Sequence, residues 1–281
     1  MSDSEKLQNI ATQVRRDILR MVHAVQSGHP GGSLGCADLF TALFFEVLKH
    51  NPAAFDMTAS NKDAFVLSNG HISPVYYSVL ARSGYFPVTE LSTFRKINSR
   101  LQGHPATAEH LEGIHVATGS LGQGLSVAIG MALAKKMNSE SELVYCLCGD
   151  GELQEGQIWE AAMFASHNKL DNLIVIVDVN GRQIDGDTKD IMGFGDLKPR
   201  FDAFGFDILT MEGNNMEKVL MGLAQAKAKT GNQKPIVVLM QTEMGFPIDF
   251  MMGSHKWHGI PPSDSDLENA LNQLSETIGD Y

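Results

Sequence analysis

Apolar residues recur with a helical period at the start of the chain. Leu7, Ile10, Val14, Ile18, Met21, Val22 and Val25 share one face of a helix predicted over residues 5–26. The lead-in Met1-Ser2-Asp3-Ser4-Glu5-Lys6 is polar and lacks the apolar core of a secretion signal. Ser27-Gly28-His29-Pro30-Gly31-Gly32-Ser33-Leu34-Gly35 follows, and its four glycines and one proline argue against regular structure. A very apolar, buried helix is expected from about Cys36 to Lys49. A short strand, Ala64-Phe65-Val66-Leu67, then ends at Ser68-Asn69-Gly70-His71, and a helix runs from about Ser73 to Arg82. Residues 88–118 read as irregular with one short helix. The loop Gly119-Ser120-Leu121-Gly122-Gln123-Gly124 opens a helix that reaches about Met137.

The pattern then changes to continuous apolar runs, Leu143-Val144-Tyr145-Cys146-Leu147-Cys148 and Leu173-Ile174-Val175-Ile176-Val177. Such runs suit parallel strands buried on both faces. Trp159 to Ala165, between them, reads as a helix. Residues 181–215 read largely as a polar surface loop, Met216 to Lys229 as a helix, Pro235 to Met240 as a strand and Ser263 to Ile278 as a last helix. Helices alternating with apolar strands predict an α/β fold, a doubly wound, mostly parallel sheet with helices on both faces. With no repeat, low-complexity tract or linker, residues 1–281 are expected to form a single domain.

Composition narrows the function. The chain is 43% hydrophobic and 20% charged, as in globular proteins. A net charge of −11 argues against nucleic acid or an anionic membrane as the main partner. No apolar run approaches the roughly 18 residues of a membrane span. Cys36, Cys146 and Cys148 are expected to be reduced core thiols of a cytoplasmic protein. A Cys146-Leu147-Cys148 metal site is discounted on the argument that alternate strand positions face opposite sides.

The chemistry concentrates at strand ends. Gly149-Asp150-Gly151 follows one apolar run, and Asn180 follows the next, thirty positions after Asp150. Open α/β sheets bind ligands at the carboxyl ends of their strands. Asp and Asn oxygens suit a hard cation that also holds phosphate, and the glycines admit a pyrophosphate close to the backbone. His29, His71, His104 and His258 all lie in glycine-flanked loops at element ends, where neutral imidazole could pass protons among hydroxyls and carbonyls. Their wide spacing, away from the thiols, argues against zinc.

Together, Ser-Gly-His-Pro-Gly, Leu-Ser-Asn-Gly-His, Gly-His-Pro, Ala-Thr-Gly-Ser-Leu-Gly-Gln-Gly, Gly-Asp-Gly-Glu-Leu-Gln-Glu-Gly, Asn180 and Trp-His-Gly resemble the transketolase family, in that family's order. The resemblance covers nearly the whole chain but only the family's N-terminal, pyrophosphate-binding domain. It implies thiamine diphosphate and Mg²⁺ (Ca²⁺ or Mn²⁺ as substitutes). Asp150, Asn180 and the main-chain carbonyl of Arg182 would hold the metal. His71, Gly119 and Gly151 would contact the diphosphate, and Leu121 would pack near the thiazolium ring. His29, His104 and His258 would line the substrate channel and move protons there, with His255 a less certain participant. Glu155 would lie beside the cofactor. With Glu160, five positions on and on a neighbouring helix face, it would form a carboxylate network at a subunit interface. Acids that merely complement a helix start are the plainer reading of the pair.

The same resemblance implies a missing half. Thiamine catalysis needs a glutamate on the aminopyrimidine ring, and transketolases carry it in a second, pyrimidine-binding domain. The expectation is therefore a natural subunit of a split transketolase, in a heterotetramer of two plus two, rather than a cut chain. It would transfer a two-carbon ketol unit from a ketose phosphate to an aldose, in the pentose phosphate pathway or in a dedicated sugar route. The alternatives are a deoxyxylulose-phosphate synthase-like or 2-oxo acid dehydrogenase-like subunit, or a non-catalytic binding subunit of the same fold.

Overall fold

The computed structural model describes residues 3–281. Met1 and Ser2, part of the expected polar lead-in, lie outside the described residues. Five strands build the sheet: β1 (Ala64–Leu67), β2 (Val144–Gly149), β3 (Leu173–Val179), β6 (Asp207–Glu212) and β7 (Ile236–Gln241). Their order is β1-β2-β3-β7-β6, with every pairing parallel. Val144 stands opposite Leu173 and Ile174 opposite Ile236, so the apolar runs align side by side at the centre. The short strands β4 (Arg182–Gln183) and β5 (Gly186–Asp187) form a separate antiparallel pair.

The helices are α1 (Asp3–Val25), α2 (Pro30–Gly35), α3 (Ala37–Ala42), α4 (Ser73–Arg82), α5 (Gln123–Met137), α6 (Gly156–His167), α7 (Thr188–Met192), α8 (Leu197–Ala203), α9 (Met216–Ala228) and α10 (Asp264–Asn272). Strand alternation sends Tyr145, Leu147, Ile174, Ile176 and Val238 into one core, closed by α1, α3, α4 and α9. Val144, Cys146, Val175, Val177 and Leu239 enter a second core on the other face, closed by α5, α6 and α8. The expected layering, helices on both faces of a parallel sheet, is what the chain adopts. Among the described residues no helix is long and apolar enough to cross a membrane.

Several expectations need correcting. The glycine-rich stretch after α1 is not irregular, since Pro30–Gly35 is a wholly buried helical turn with Pro30 at its start. Its glycines are there for space: a Cβ on Gly31 would come within 2.5 Å of Met244 Cγ and 2.7 Å of the Trp257 carbonyl. The apolar helix expected over 36–49 leaves α-geometry after Ala42 and continues as a π turn over Leu43–Val47. Residues 181–215 contain β4, β5, α7, α8 and the edge strand β6. In β6 only Met211 is fully buried, Asp207 to Leu209 are partly buried and Thr210 and Glu212 are exposed, so the strand carries no apolar run. The helix between β2 and β3 starts at Gly156, and the last helix stops at Asn272. Cys146 and Cys148 do not face opposite ways. Residues two apart on a strand share a face, and their sulfurs lie 3.9 Å apart in the second core, with all three cysteines buried and free.

One ion pair anchors the α2–α3 segment to α1. Arg15 Nη2 donates to Asp38 Oδ2 at 2.6 Å, and both side chains are about 1% exposed. Arg15 Nε also donates to the carbonyls of Leu34 (3.3 Å) and Phe246 (3.2 Å). Removing one partner leaves a buried charge uncompensated. Asp38→Ala is therefore expected to lower the unfolding free energy by about 3–5 kcal/mol, measured by urea denaturation.

Candidate active site

The carboxyl ends of β1, β2 and β3 open into one cavity of about 320 Å³. After β1 the chain turns through Ser68 and Asn69 into a 3₁₀ turn, Gly70–Ile72, which presents His71. After β2 comes Asp150, then a second 3₁₀ turn, Gly151–Gln154. After β3 come Asn180 and the β4–β5 hairpin. Asp150, Asn180, Arg182, Gly119, Leu121, Gly151 and Glu155 all line this cavity, with His29, His71 and His258.

Asp150 is 2% exposed. Its Oδ1 accepts from the Gly151 amide and its Oδ2 from the Gly181 amide, both at 2.7 Å. Burial, then the charge of Asp178, pushes its carboxyl up to about 7. Asp178 is itself fully buried. It accepts from Thr242 Oγ1 and, at 2.7 Å, from Asn180 Nδ2, which fixes the Asn180 amide. Asn180 Oδ1 accepts from the Arg182 amide at 2.9 Å. The Arg182 side chain is tied to Asp187 at 2.8 Å, so only a main-chain oxygen of this residue would be available to a cation. One carboxylate plus two amide-type oxygens is a hard donor set with room for phosphate oxygens and water. Two neighbouring buried carboxylates also call for positive charge. The residues present thus fit a divalent cation bound together with a diphosphate. Among the described residues no cluster of three or more His, Cys, Asp or Glu side chains could hold a metal unaided.

Glu152 belongs to none of the roles the motifs imply. It is 2% exposed, and its Oε1 accepts from Ser68 Oγ and from the Gly122 amide at 2.8 Å. Its Oε2 accepts from the Gly149 amide at 3.1 Å. One carboxylate therefore joins the turns after β1 and β2 to the loop that opens α5. Only its position beside Asp150 could have signalled this. Asp178 carried a clearer signal, an acid inside the apolar run that leads to Asn180.

His29, His71 and His258 form a triangle with ring centroids 5.0, 5.1 and 5.5 Å apart. His29 Nδ1, His258 Nδ1 and Asn69 Oδ1 are buried without a hydrogen-bond partner, an arrangement that costs free energy until a ligand supplies one. His104 stands beside the trio against Gly119. A Cβ on Gly119 would lie 2.7 Å from the His104 ring, and φ there is +125°, so only glycine fits. His255 is exposed at the start of the 3₁₀ turn His255–His258 and does not line the cavity. Glu155 sits at the N-cap of α6 but makes no side-chain cap bond, and Glu160 is exposed one turn along.

The family description "Transketolase, thiamine diphosphate binding domain" matches residues 7–277. The chain belongs to the transketolase family. It is 36% identical to one of the subunits named as apulose-4-phosphate transketolase in Phocaeicola vulgatus, over 98% of this chain and 95% of that one. It is 37% identical to the 6-deoxy-6-sulfo-D-fructose transketolase subunit SqwG of a Clostridium species, over 96% of each. Among solved structures, transketolase from Campylobacter jejuni superposes with a TM-score of 0.89 at 38% identity. That match covers 98% of this chain but 43% of the other. The chain thus spans nearly the full length of the transketolase subunits and less than half of a single-chain transketolase.

Burial first, then the charges of His258, Arg95 and His104, hold His29 down at about 4. An unfolded histidine protonates near pH 6.5. Between these values the unfolded chain binds more protons, so stability falls as the pH drops from about 6.5 towards 4. Melting temperatures across that window should fall less steeply for His29→Gln than for the wild type.

Proposed function

We propose that this chain is the cofactor-holding subunit of a two-subunit transketolase and forms one pyrophosphate-binding domain. One cavity is lined both by an oxygen donor set and by three close-packed imidazoles, and this carries the reading. The subunit-length match to relatives named as transketolase subunits supports the split. Asp150, Asn180 and the Arg182 carbonyl hold Mg²⁺, for which Ca²⁺ or Mn²⁺ can substitute. His71 and the backbones of Gly119 and Gly151 receive the diphosphate, and Leu121 lies against the ring that follows. Bound there, thiamine diphosphate supplies the nucleophilic carbon and the electron sink for a two-carbon ketol unit.

The chain's own residues bind, orient and shuttle protons. Burial lowers the proton affinity of His29, His71 and His258, so each is neutral near pH 7. A neutral ring can both donate to and accept from a sugar hydroxyl or carbonyl. His29, His104 and His258 therefore orient the ketose phosphate donor and pass its protons. The partner subunit supplies the pyrimidine-binding domain and its activating glutamate. Glu155 and Glu160, both exposed in this chain alone, meet their counterparts in a heterotetramer of two plus two. The three buried thiols suit a reducing cytoplasm.

Asp150→Ala should lower Mg²⁺-dependent thiamine diphosphate binding at least tenfold by calorimetry and abolish ketol transfer in the complex with the partner subunit. Full activity in that variant would remove the metal role. Purified chain alone, given thiamine diphosphate and Mg²⁺, should show negligible transfer, and turnover there would overturn the split-subunit reading. CO₂ release from pyruvate by the complex would point to another thiamine enzyme.

A further inference from the structure

Arg95 lies outside every motif in the sequence and touches two of the histidine loops at once. Its Nη1 donates to Ser27 Oγ at 2.9 Å, two residues before His29. Its Nη2 reaches the Gly103 carbonyl at 3.4 Å, one residue before His104. We propose that Arg95 is a positioning residue whose guanidinium spans the His29 and His104 loops and holds the two imidazoles in register across the channel. This deepens the functional reading above and rests on it only for the activity measurements.

The surroundings fix the guanidinium from several sides. The ring of Phe94, itself buried, lies below it with its centroid 5.5 Å from Cζ. Gly103 leaves room for it, since a Cβ there would fall 2.7 Å from Cζ. The Arg95 backbone is left-handed, with φ at +56°, which costs free energy in a residue other than glycine. It is kept there by the Arg95 amide donating to the Leu101 carbonyl at 2.8 Å. The Gly103 carbonyl also accepts from Ser73 Oγ at 2.8 Å, which joins the bridge to the start of α4. A planar fork of donors can span two loops in a way that a lysine ammonium cannot.

The bridge has an electrostatic consequence. His29 is faced by His71, His258, His104 and Arg95, and its lowered proton affinity comes from burial, then His258, then Arg95, then His104. For His104, burial comes first and Arg95 second. At both rings burial and the guanidinium push in the same direction. Arg95 therefore both places the imidazoles and keeps them proton-poor.

The test compares wild type, Arg95→Lys and Arg95→Gln by histidine NMR on the full chain and by kinetics of the complex with its partner subunit. Loss of the charge in Arg95→Gln should raise the His104 and His29 titration midpoints, and Arg95→Lys should restore them. Both variants lose the span between loops. Each should lower kcat/KM by roughly tenfold to a hundredfold, the cost of a small misplacement of reacting groups, with the loss mainly in kcat. Unchanged midpoints in Arg95→Gln, or kcat/KM within twofold of wild type in Arg95→Lys, would overturn the proposal. If Arg95→Gln does not fold, the kinetics of Arg95→Lys decide. If the wild-type complex transfers no ketol unit, the functional reading fails, and the NMR midpoints still judge Arg95.

Discussion

The site depends on one buried carboxylate. Glu152 accepts from Ser68 after β1, from the Gly149 amide at the end of β2 and from the Gly122 amide at the start of α5. A buried carboxylate is costly unless its lone pairs are filled, so the three segments are held wherever it can bond all of them. The geometry of the cavity follows from this, because His71, Asp150 and Leu121 each lie within three residues of a Glu152 partner. Charge-assisted bonds to amides are stronger than neutral ones, which suits turns that regular secondary structure does not brace.

Around this point the glycines act as spacers. Gly31 lets α2 press on Met244 and the backbone at Trp257, and Gly119 lets the His104 ring pack against its backbone. Such contacts bring histidines from three distant loops to one cavity, within 5.5 Å of each other, with His104 packed beside them. Burial then makes all three neutral. The buried Arg15–Asp38 pair ties α1 to α3, and Arg15 also holds the Leu34 carbonyl of α2, the helix that follows His29.

Much of this was legible in the residues. The two-sided apolar runs of β2 and β3 read as buried parallel strands, because both their faces had to be dry, and the run of β7 read as a strand. The strand ends then marked Asp150 and Asn180. The edge strand β6 was not legible, because one sheet edge is partly solvated and its residues need not be apolar. The α2 turn was not legible either, because glycine and proline at close-packed positions look like those of a loop. The shared face of Cys146 and Cys148 did have a plain signal, since strand alternation already puts positions two apart on one side.

By itself, the sequence determined the layered α/β class, the chemistry of the strand ends and the family, because apolar period, donor type and motif order are local properties of the chain. Tertiary structure alone decided that Glu152 joins three turns, that Arg95 bridges two histidine loops, and that His255 stays outside the trio while His258 joins it. The physical reason is that these roles depend on burial and on distances between segments remote in sequence, such as Ser68 and Glu152 or His29 and His258, and no local pattern in the chain encodes either.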